Sequence, residues 1–202
     1  MPPNRATKNK TRHCTSLADE EIRPNGDSVL VVGKERTILR VDSQTLIAAS
    51  KVFKRLFQNS SSEAQDPAGN IVKVVYLEDD DPEAMWTLCC LLHDVYEIGD
   101  EEMVPPEVFL TAMHVKKFDL MGRDPVRGAM HLWLNPKLST RFNGFEMGFH
   151  FAAAYLLQQL SSVVRWSQDL IFGYGGDYDA LVAEILSRIL PPQVFEPRRV
   201  QM

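Results

Sequence analysis

Apolar positions form no run in the first part of the chain, then alternate with polar ones, and later recur at helical spacing. Residues 1–24 are polar, with Pro2, Pro3 and scattered charge, and predict a disordered leader. Within and just around it, Ser16 to Arg23 reads as a single helical turn capped by Ser16, with Asp19 and Glu20 near its start. Asn25-Gly26 leads into Ser28-Val29-Leu30-Val31-Val32, a β-branched run that ends at Gly33. Gly33-Lys34-Glu35 predicts a hairpin turn, and Arg36 to Val41 alternates as a half-buried strand does.

Helical spacing follows. Asp42-Ser43 caps a helix from about Gln44 with Leu46, Ile47 and Ala49. Ser50 caps a second helix whose Val52, Phe53, Leu56 and Phe57 lie on one face. Asn59 to Asn70 is rich in Ser, Asp, Pro and Gly and predicts a loop. Ile71 to Leu77 is the next strand, and the acidic run Glu78 to Asp81 reads as a solvated helix N-terminus before Pro82. The helix after Pro82 is apolar around most of its circumference and predicts the central buried element. Further helices are expected from Pro105, from Pro125 to Leu134, over Phe145 to Leu160 and over Val163 to Phe172. Beyond Gly173 to Gly176, Tyr178, Leu181, Val182, Ile185, Leu186, Ile189 and Leu190 form the cleanest amphipathic helix in the sequence, ended by Pro191-Pro192.

Composition narrows the functional classes. The 202 residues carry a net charge of −5, and the sequence pI is about 5.6, which argues against nucleic acid binding by bulk charge. The three cysteines, Cys14, Cys89 and Cys90, have no disulfide-framework spacing, and Cys89-Cys90 sits in an apolar run. This favours an intracellular location, cytoplasmic or nuclear. Arg5, Lys8, Lys10 and Arg12 fit either an import signal or a solvated tail, and no apolar stretch follows them as in a secretory signal. No apolar run reaches membrane-spanning length, so no membrane partner is expected.

Cys89 and His93 are four residues apart on a predicted helix, the spacing of a Cys–His pair or half a metal site, but a metal needs three or four ligands and no second cluster is evident. Core packing explains them more simply. Gly173 to Gly176 lacks the Lys-Ser/Thr ending of a phosphate loop, and Glu78 to Asp81 lacks the ligand alternation of a calcium loop. No cofactor is expected.

The order of elements, with its residues, resembles the BTB/POZ family. Asp27 to Val32 is similar to that family's opening strand with its leading aspartate. Leu39, Leu46, Ala48, Ala49, Ser50 and Phe53 match the spacing of its "F…H…L-a-a-x-S…F" signature. Leu77 with Asp81-Pro82-Glu83-Ala84-Met85 resembles "L-x-D…P-E-A-F", Leu91 to Tyr96 resembles "L-L-x-Y-I-Y", and Ala112 to Leu120 resembles "A-x-K-Y-x-L". Ala153 to Leu156 and Ile189 to Pro192 look similar to stand-alone BTB proteins of filamentous fungi. The resemblance implies an α+β core at 25–134, a short mixed sheet packed with a helical cluster, and an all-α C-terminal extension at 135–202. It implies a protein-binding module rather than an enzyme, with protein partners, a homodimer among them.

Two departures bear on partners. Asp42 stands where the family has a histidine, near the dimer interface of dimeric members. Asp80 stands where cullin-binding members place an apolar side chain, which argues against the alternative role of substrate adaptor for a cullin ubiquitin ligase. The candidate interaction surface is Asp42, Asp80, Glu83, Met85 and Trp86, and the fold signature is Asp27, Leu46, Ser50, Phe53 and Tyr96. Trp133, Trp166, Phe149, Phe151 and Tyr155 are either core or an interface anchor, and the apolar stretch from Phe145 to Leu160 is either a partner groove or packing of the extension on the core.

Overall fold

The computed structural model describes residues 20–66, 69–96, 103–136, 142–177 and 179–183. The fold is α+β. Its strands are β1 (Glu20–Glu21), β2 (Ser28–Val32), β3 (Thr37–Val41), β4 (Ser62–Gln65) and β5 (Ile71–Leu77). Its helices are α1 (Ser43–Ala49), α2 (Lys51–Asn59), α3 (Pro82–Leu92), α4 (Pro105–Lys117), α5 (Asp124–Leu134), α6 (Gly144–Leu156) and α7 (Leu160–Gly173). Residues 179–183 are also helical; the rest of the amphipathic helix expected to reach Leu190 lies outside the described residues, as do residues 1–19.

The five strands form one mixed sheet in the order β1-β3-β2-β5-β4. β2 and β3 are an antiparallel hairpin with Leu30 opposite Leu39, and β5 joins β2 in parallel with Val75 opposite Leu30. Period-2 alternation then sends Leu30, Val32, Leu39, Val41, Val75 and Leu77 to the helical side, where they enter the main core. Val29, Val31, Val72 and Val74 pack on the opposite face. Across that face Arg40 of β3 reaches Asp66, just past β4, at 2.9 Å, and its Nε donates to the Gly26 carbonyl at 3.0 Å.

Two expectations are corrected here. Glu20 and Glu21 are a strand running parallel to Leu39 and Arg40, not part of a helical turn, and Ile22 after them is buried. The Asn59 to Asn70 stretch contains β4, which pairs antiparallel with β5 from Ser62 opposite Val74 to Gln65 opposite Ile71. An edge strand mostly exposed to water carries no apolar alternation to betray it.

Helix starts follow their caps. Asp42 Oδ2 accepts from Thr45 N at 2.8 Å, Ser50 Oγ accepts from Val52 N and Phe53 N, and Asp81 Oδ1 accepts from Ala84 N at 2.9 Å with Pro82 next. α3 is the central helix, with Met85, Leu88 and Cys89 fully buried. α6 packs on α4 and α7 on α6. Trp166 anchors α7: its indole N–H donates to the Leu134 carbonyl at 2.9 Å, and His150 of α6 stacks on its ring at 4.4 Å. One buried cluster runs from Leu30 in the sheet to Trp166 and Leu170 in α7, so the C-terminal helices share the core of the preceding segment.

Candidate interaction surface

The residues expected to form a surface are not brought together as one. Met85 is fully buried in the core beneath α3. Asp80 is turned inward, its side chain only 2% exposed, and takes both oxygens to Lys117 Nζ at 2.7 and 2.8 Å, with His114 Nε2 at 3.2 Å. Burial alone would raise the Asp80 pKa; the contacts with His114 and Lys117 outweigh it and hold the carboxyl below its ordinary value. Both residues are therefore corrected from surface to interior, and the acidic run before α3 is not wholly solvated. Asp42 is half-buried and committed to its cap, with Thr45 Oγ1 also donating to Oδ2 at 2.6 Å. Those bonds from Thr45 lower its pKa against the opposing effect of burial. Glu83 is exposed in the first turn of α3. Trp86 is half-buried and meets Tyr96 edge-on at 6.1 Å, and Tyr96 meets Trp133 likewise at 5.8 Å.

The signature residues tie elements of the fold to one another. Asp27 accepts from Ser43 N at 2.7 Å and Ser43 Oγ at 2.6 Å, which ties the start of β2 to the start of α1. Leu46 and Phe53 are fully buried, and Phe53 stacks on Phe118 at 4.5 Å. Ser50 Oγ donates to the Phe118 carbonyl at 2.5 Å while capping α2.

Cys89 and His93 are each engaged elsewhere. The Cys89 thiol is fully buried, and burial pushes its pKa far up; burial also pushes Cys90 up to about 12. At these values neither supplies a thiolate near neutral pH. His93 Nδ1 donates to the Cys89 carbonyl at 2.7 Å, and its Nε2 accepts the backbone N–H of Asp42 at 3.0 Å. Among the described residues no group of three His, Cys, Asp or Glu side chains is placed to hold a metal ion. No helix among them is long and apolar enough to cross a membrane.

The apolar surface lies instead on the C-terminal helices. Of the twelve large hydrophobic side chains exposed among the described residues, seven come after residue 142: Phe145, Tyr155, Leu160, Val164, Ile171, Phe172 and Val182. α7 has two apolar stripes. Ser162, Val163, Trp166 and Leu170 face inward, while Leu160, Val164 and Ile171, at i, i+4 and i+11, form a second stripe facing water. Leu160 is 74% exposed and Phe172 86% exposed. A second stripe of this kind buys nothing for the monomer fold. Its spacing is visible in the sequence, but Trp166 draws attention to the other side of the helix.

Separately, α4 and α6 enclose a groove of about 510 Å³. Phe109 and Met113 line it from α4, and Phe151, Tyr155 and Leu156 from α6, with Val182 at one margin. Gly148 and Ala152 keep the α6 wall low, and Lys116 and Lys117 stand at the rim. Phe151 and Tyr155 stack at 6.4 Å, so the exposed Tyr155 ring extends the wall of the groove outward. A surface so apolar, rimmed by polar groups, is suited to receive another apolar helix face. Comparison of the chain with protein-family models, with curated proteins and with solved structures finds no match to any of them.

Proposed function

We propose that this chain is a non-catalytic protein-interaction module of the BTB/POZ type, and that it binds protein partners through α6 and α7. The observation that carries the reading is the outward apolar stripe of Leu160, Val164 and Ile171 on α7, and the apolar α4–α6 groove adds a second such surface. The family part of the reading is supported by the ordered motifs from Asp27 to Leu120 and by a hairpin followed by a parallel strand, with two helices between. Self-association is included in this reading, since a second copy is a protein partner.

The test uses the full chain and a double variant, Leu160→Lys with Ile171→Lys. Both positions are exposed, so the fold tolerates the change. Light scattering gives the solution mass of each, and affinity capture from cells gives the proteins held by each. A dimer, or a set of captured proteins, that the double variant loses supports the reading. A monomer whose captured proteins are the same in both forms sinks it.

The cullin-adaptor role stands as a second reading on one observation. Asp80 is satisfied by Lys117 inside the fold, so it does not present a free carboxylate to a partner. Purified cullin mixed with the chain tests this directly: no complex at micromolar concentration ends the adaptor reading and leaves the interaction module.

A further inference from the structure

α6 and α7 meet through a cluster of three rings. His150 of α6 lies flat on the Trp166 indole of α7 at 4.4 Å. Phe142, just before α6, meets His150 edge-on at 4.9 Å and Trp166 edge-on at 5.5 Å. His150 is 1% exposed, and neither ring nitrogen has a hydrogen-bond partner among the described residues. A neutral imidazole in this state strands one donor and one acceptor. An apolar ring would fill the same place without that cost.

The surroundings oppose a charge on this ring. On α7, Arg165 holds its guanidinium 5.1 Å from the centre of the Trp166 ring, so a second cation on that indole meets repulsion that offsets the attraction of the ring for it. Asp169, one turn further along, is turned to Arg165 at 3.9 Å. On α6, Glu146 comes one turn before His150 but gives its carboxylate to the Asn143 N–H at 2.7 Å. On α4, Glu107 and Lys116 are exposed, and His114 and Lys117 are turned to Asp80. On α5, Asp124 pairs with Arg127, and His131 is exposed. Among the described residues, then, no carboxylate pairs with His150.

α7 is also the helix that can leave alone. Among the described elements it packs broadly on α6 only. Three hydrogen bonds tie it to the end of α5: Trp166 Nε1 to the Leu134 carbonyl at 2.9 Å, Ser162 Oγ to Asn135 Oδ1 at 3.3 Å and Arg165 Nη2 to the Pro136 carbonyl at 3.4 Å. A segment held by so little opens at a lower free energy than the whole fold.

We propose that His150 is an acid-operated release for α7: its protonation turns the ring toward water, unseats Trp166 and frees α7 from α6 and α5 while the sheet and α3 stay folded. The inward face of α7, with Val163, Trp166 and Leu170, then becomes accessible along with the outer stripe. The meaning of the release for partner binding rests on the reading of α7 as an interaction surface; the release itself does not.

Hydrogen exchange of the full chain at pH 7, 6 and 5, read by mass spectrometry as protection factors, tests this. The ring titrates at about 4 in place and near 6.5 in water, so opening of α7 becomes about twentyfold easier between pH 7 and pH 5. The expected result is a fall of that size in the protection of residues 160–173, to a level at pH 5 at least tenfold below that of β2. Equal protection of the two segments shows that α7 opens only with the whole fold, and overturns the proposal. So does protection of 160–173 that stays constant from pH 7 to pH 5. His150→Phe keeps a ring on Trp166 and should abolish the fall. Arg165→Gln removes the neighbouring positive charge and should reduce it, and it decides the matter if the phenylalanine variant does not fold. A fall as large as the parent's in either folded variant overturns the proposal. None of these readouts involves a partner, so failure here and failure of the interaction-module reading are told apart.

Discussion

His93 and His114 do the same work in two different helices. Each uses Nδ1 to reach the carbonyl four residues earlier, Cys89 at 2.7 Å and Leu110 at 2.8 Å. Each then offers Nε2 to the backbone N–H of an aspartate that caps another helix, Asp42 at 3.0 Å and Asp81 at 3.1 Å. An N-cap aspartate satisfies donors inside its helix with its side chain, but its own N–H still needs an acceptor. A neutral imidazole with its proton on Nδ1 supplies one. α3 is thus fixed to the start of α1, and α4 to the start of α3. His93→Ala is expected to cost about 1–3 kcal/mol, because the Asp42 N–H loses its acceptor in a part-buried site. Urea denaturation measures this, and a loss below about 0.5 kcal/mol would show that water replaces the ring.

Acid should weaken the fold in two stages. Burial lowers the pKa of His93, helped by the nearby charge of Arg23 and opposed by its hydrogen bonds. Burial, with Arg165 nearby, lowers that of His150 to about 4, and neither ring nitrogen of His150 has a hydrogen-bond partner among the described residues. Both values are lower in the folded chain than in the unfolded one, so below about pH 6.5 the unfolded chain binds more protons. Their contribution is present above that pH and is lost as the pH falls, for His150 through about 4 and on the order of 3 kcal/mol. Asp42 and Asp80, held below 3.8, add a second loss at lower pH. His150→Phe keeps a ring against Trp166 and removes two unpaired polar atoms, so it should raise stability at neutral pH by about 1 kcal/mol and flatten the first stage. Urea midpoints measured from pH 7 to 3 check both, and a wild-type curve that is flat down to pH 4 contradicts the assignment.

Asp80 offers a contrast between two ways of breaking one pair. Asp80→Ala removes the buried carboxylate and leaves Lys117, whose side chain is half exposed and free to turn to water. Lys117→Ala leaves the carboxylate 2% exposed and without the cation that holds both of its oxygens. A stranded buried charge costs more than a stranded exposed one. Lys117→Ala is therefore expected to lose about 2 kcal/mol at pH 7 and Asp80→Ala about 1 kcal/mol. The order of the two thermal midpoints decides the matter, and the reverse order would show that the cost lies in the contacts of Asp80 and not in its charge.

What could be read from the sequence was local. The caps at Asp42, Ser50 and Asp81, the proline at the first turn of α3 and the apolar face of α2 all concern neighbours within a turn or two, and all are present. What escaped was either polar or distant. β4 is four mostly exposed residues whose only structural partner is β5, and β1 is two residues held by β3. The burial of Asp80 depends on Lys117, 37 residues away, and an acidic run by itself signals solvent. The burial of Met85 escapes for a related reason: an apolar side chain near a helix start suits an exposed anchor as well as the core, and only the packing of α3 decides between them.

Ser50 tests how far one side chain can serve two helices. Its hydroxyl accepts from Val52 N and Phe53 N at the start of α2 and donates to the Phe118 carbonyl at the end of α4. Ser50→Ala removes a cap, usually worth about 1 kcal/mol, and leaves a buried carbonyl unpaired, about 1–3 kcal/mol more. Ser50→Thr retains the hydroxyl and should recover most of the cap. A loss of about 2–4 kcal/mol for the alanine variant, with most of it restored by threonine, is the expected pattern in urea. Equal losses would mean that the methyl group is not tolerated, and that packing rather than hydrogen bonding sets the requirement at this position.

Two glycines at the ends and middle of helices should respond to alanine with opposite sign. Gly128 lies within α5, and a methyl group added there meets nothing within 4 Å. Alanine loses less backbone entropy than glycine on entering a helix, so Gly128→Ala should stabilise by about 0.5–1 kcal/mol. Gly144 begins α6, where the same propensity gain is available, but an added methyl carbon would fall 2.0 Å from Cδ2 and 2.2 Å from Cε2 of Tyr174. The Tyr174 ring follows the last residue of α7, so it must leave its seat or carry the end of α7 with it. Overpacking of this kind costs about 1–3 kcal/mol, enough to reverse the sign. The pair of thermal midpoints therefore reads the packing of α7 on α6 separately from helix propensity. Stabilisation by both substitutions would show that Tyr174 moves freely and that the end of α7 is held by Trp166 and Leu170 alone.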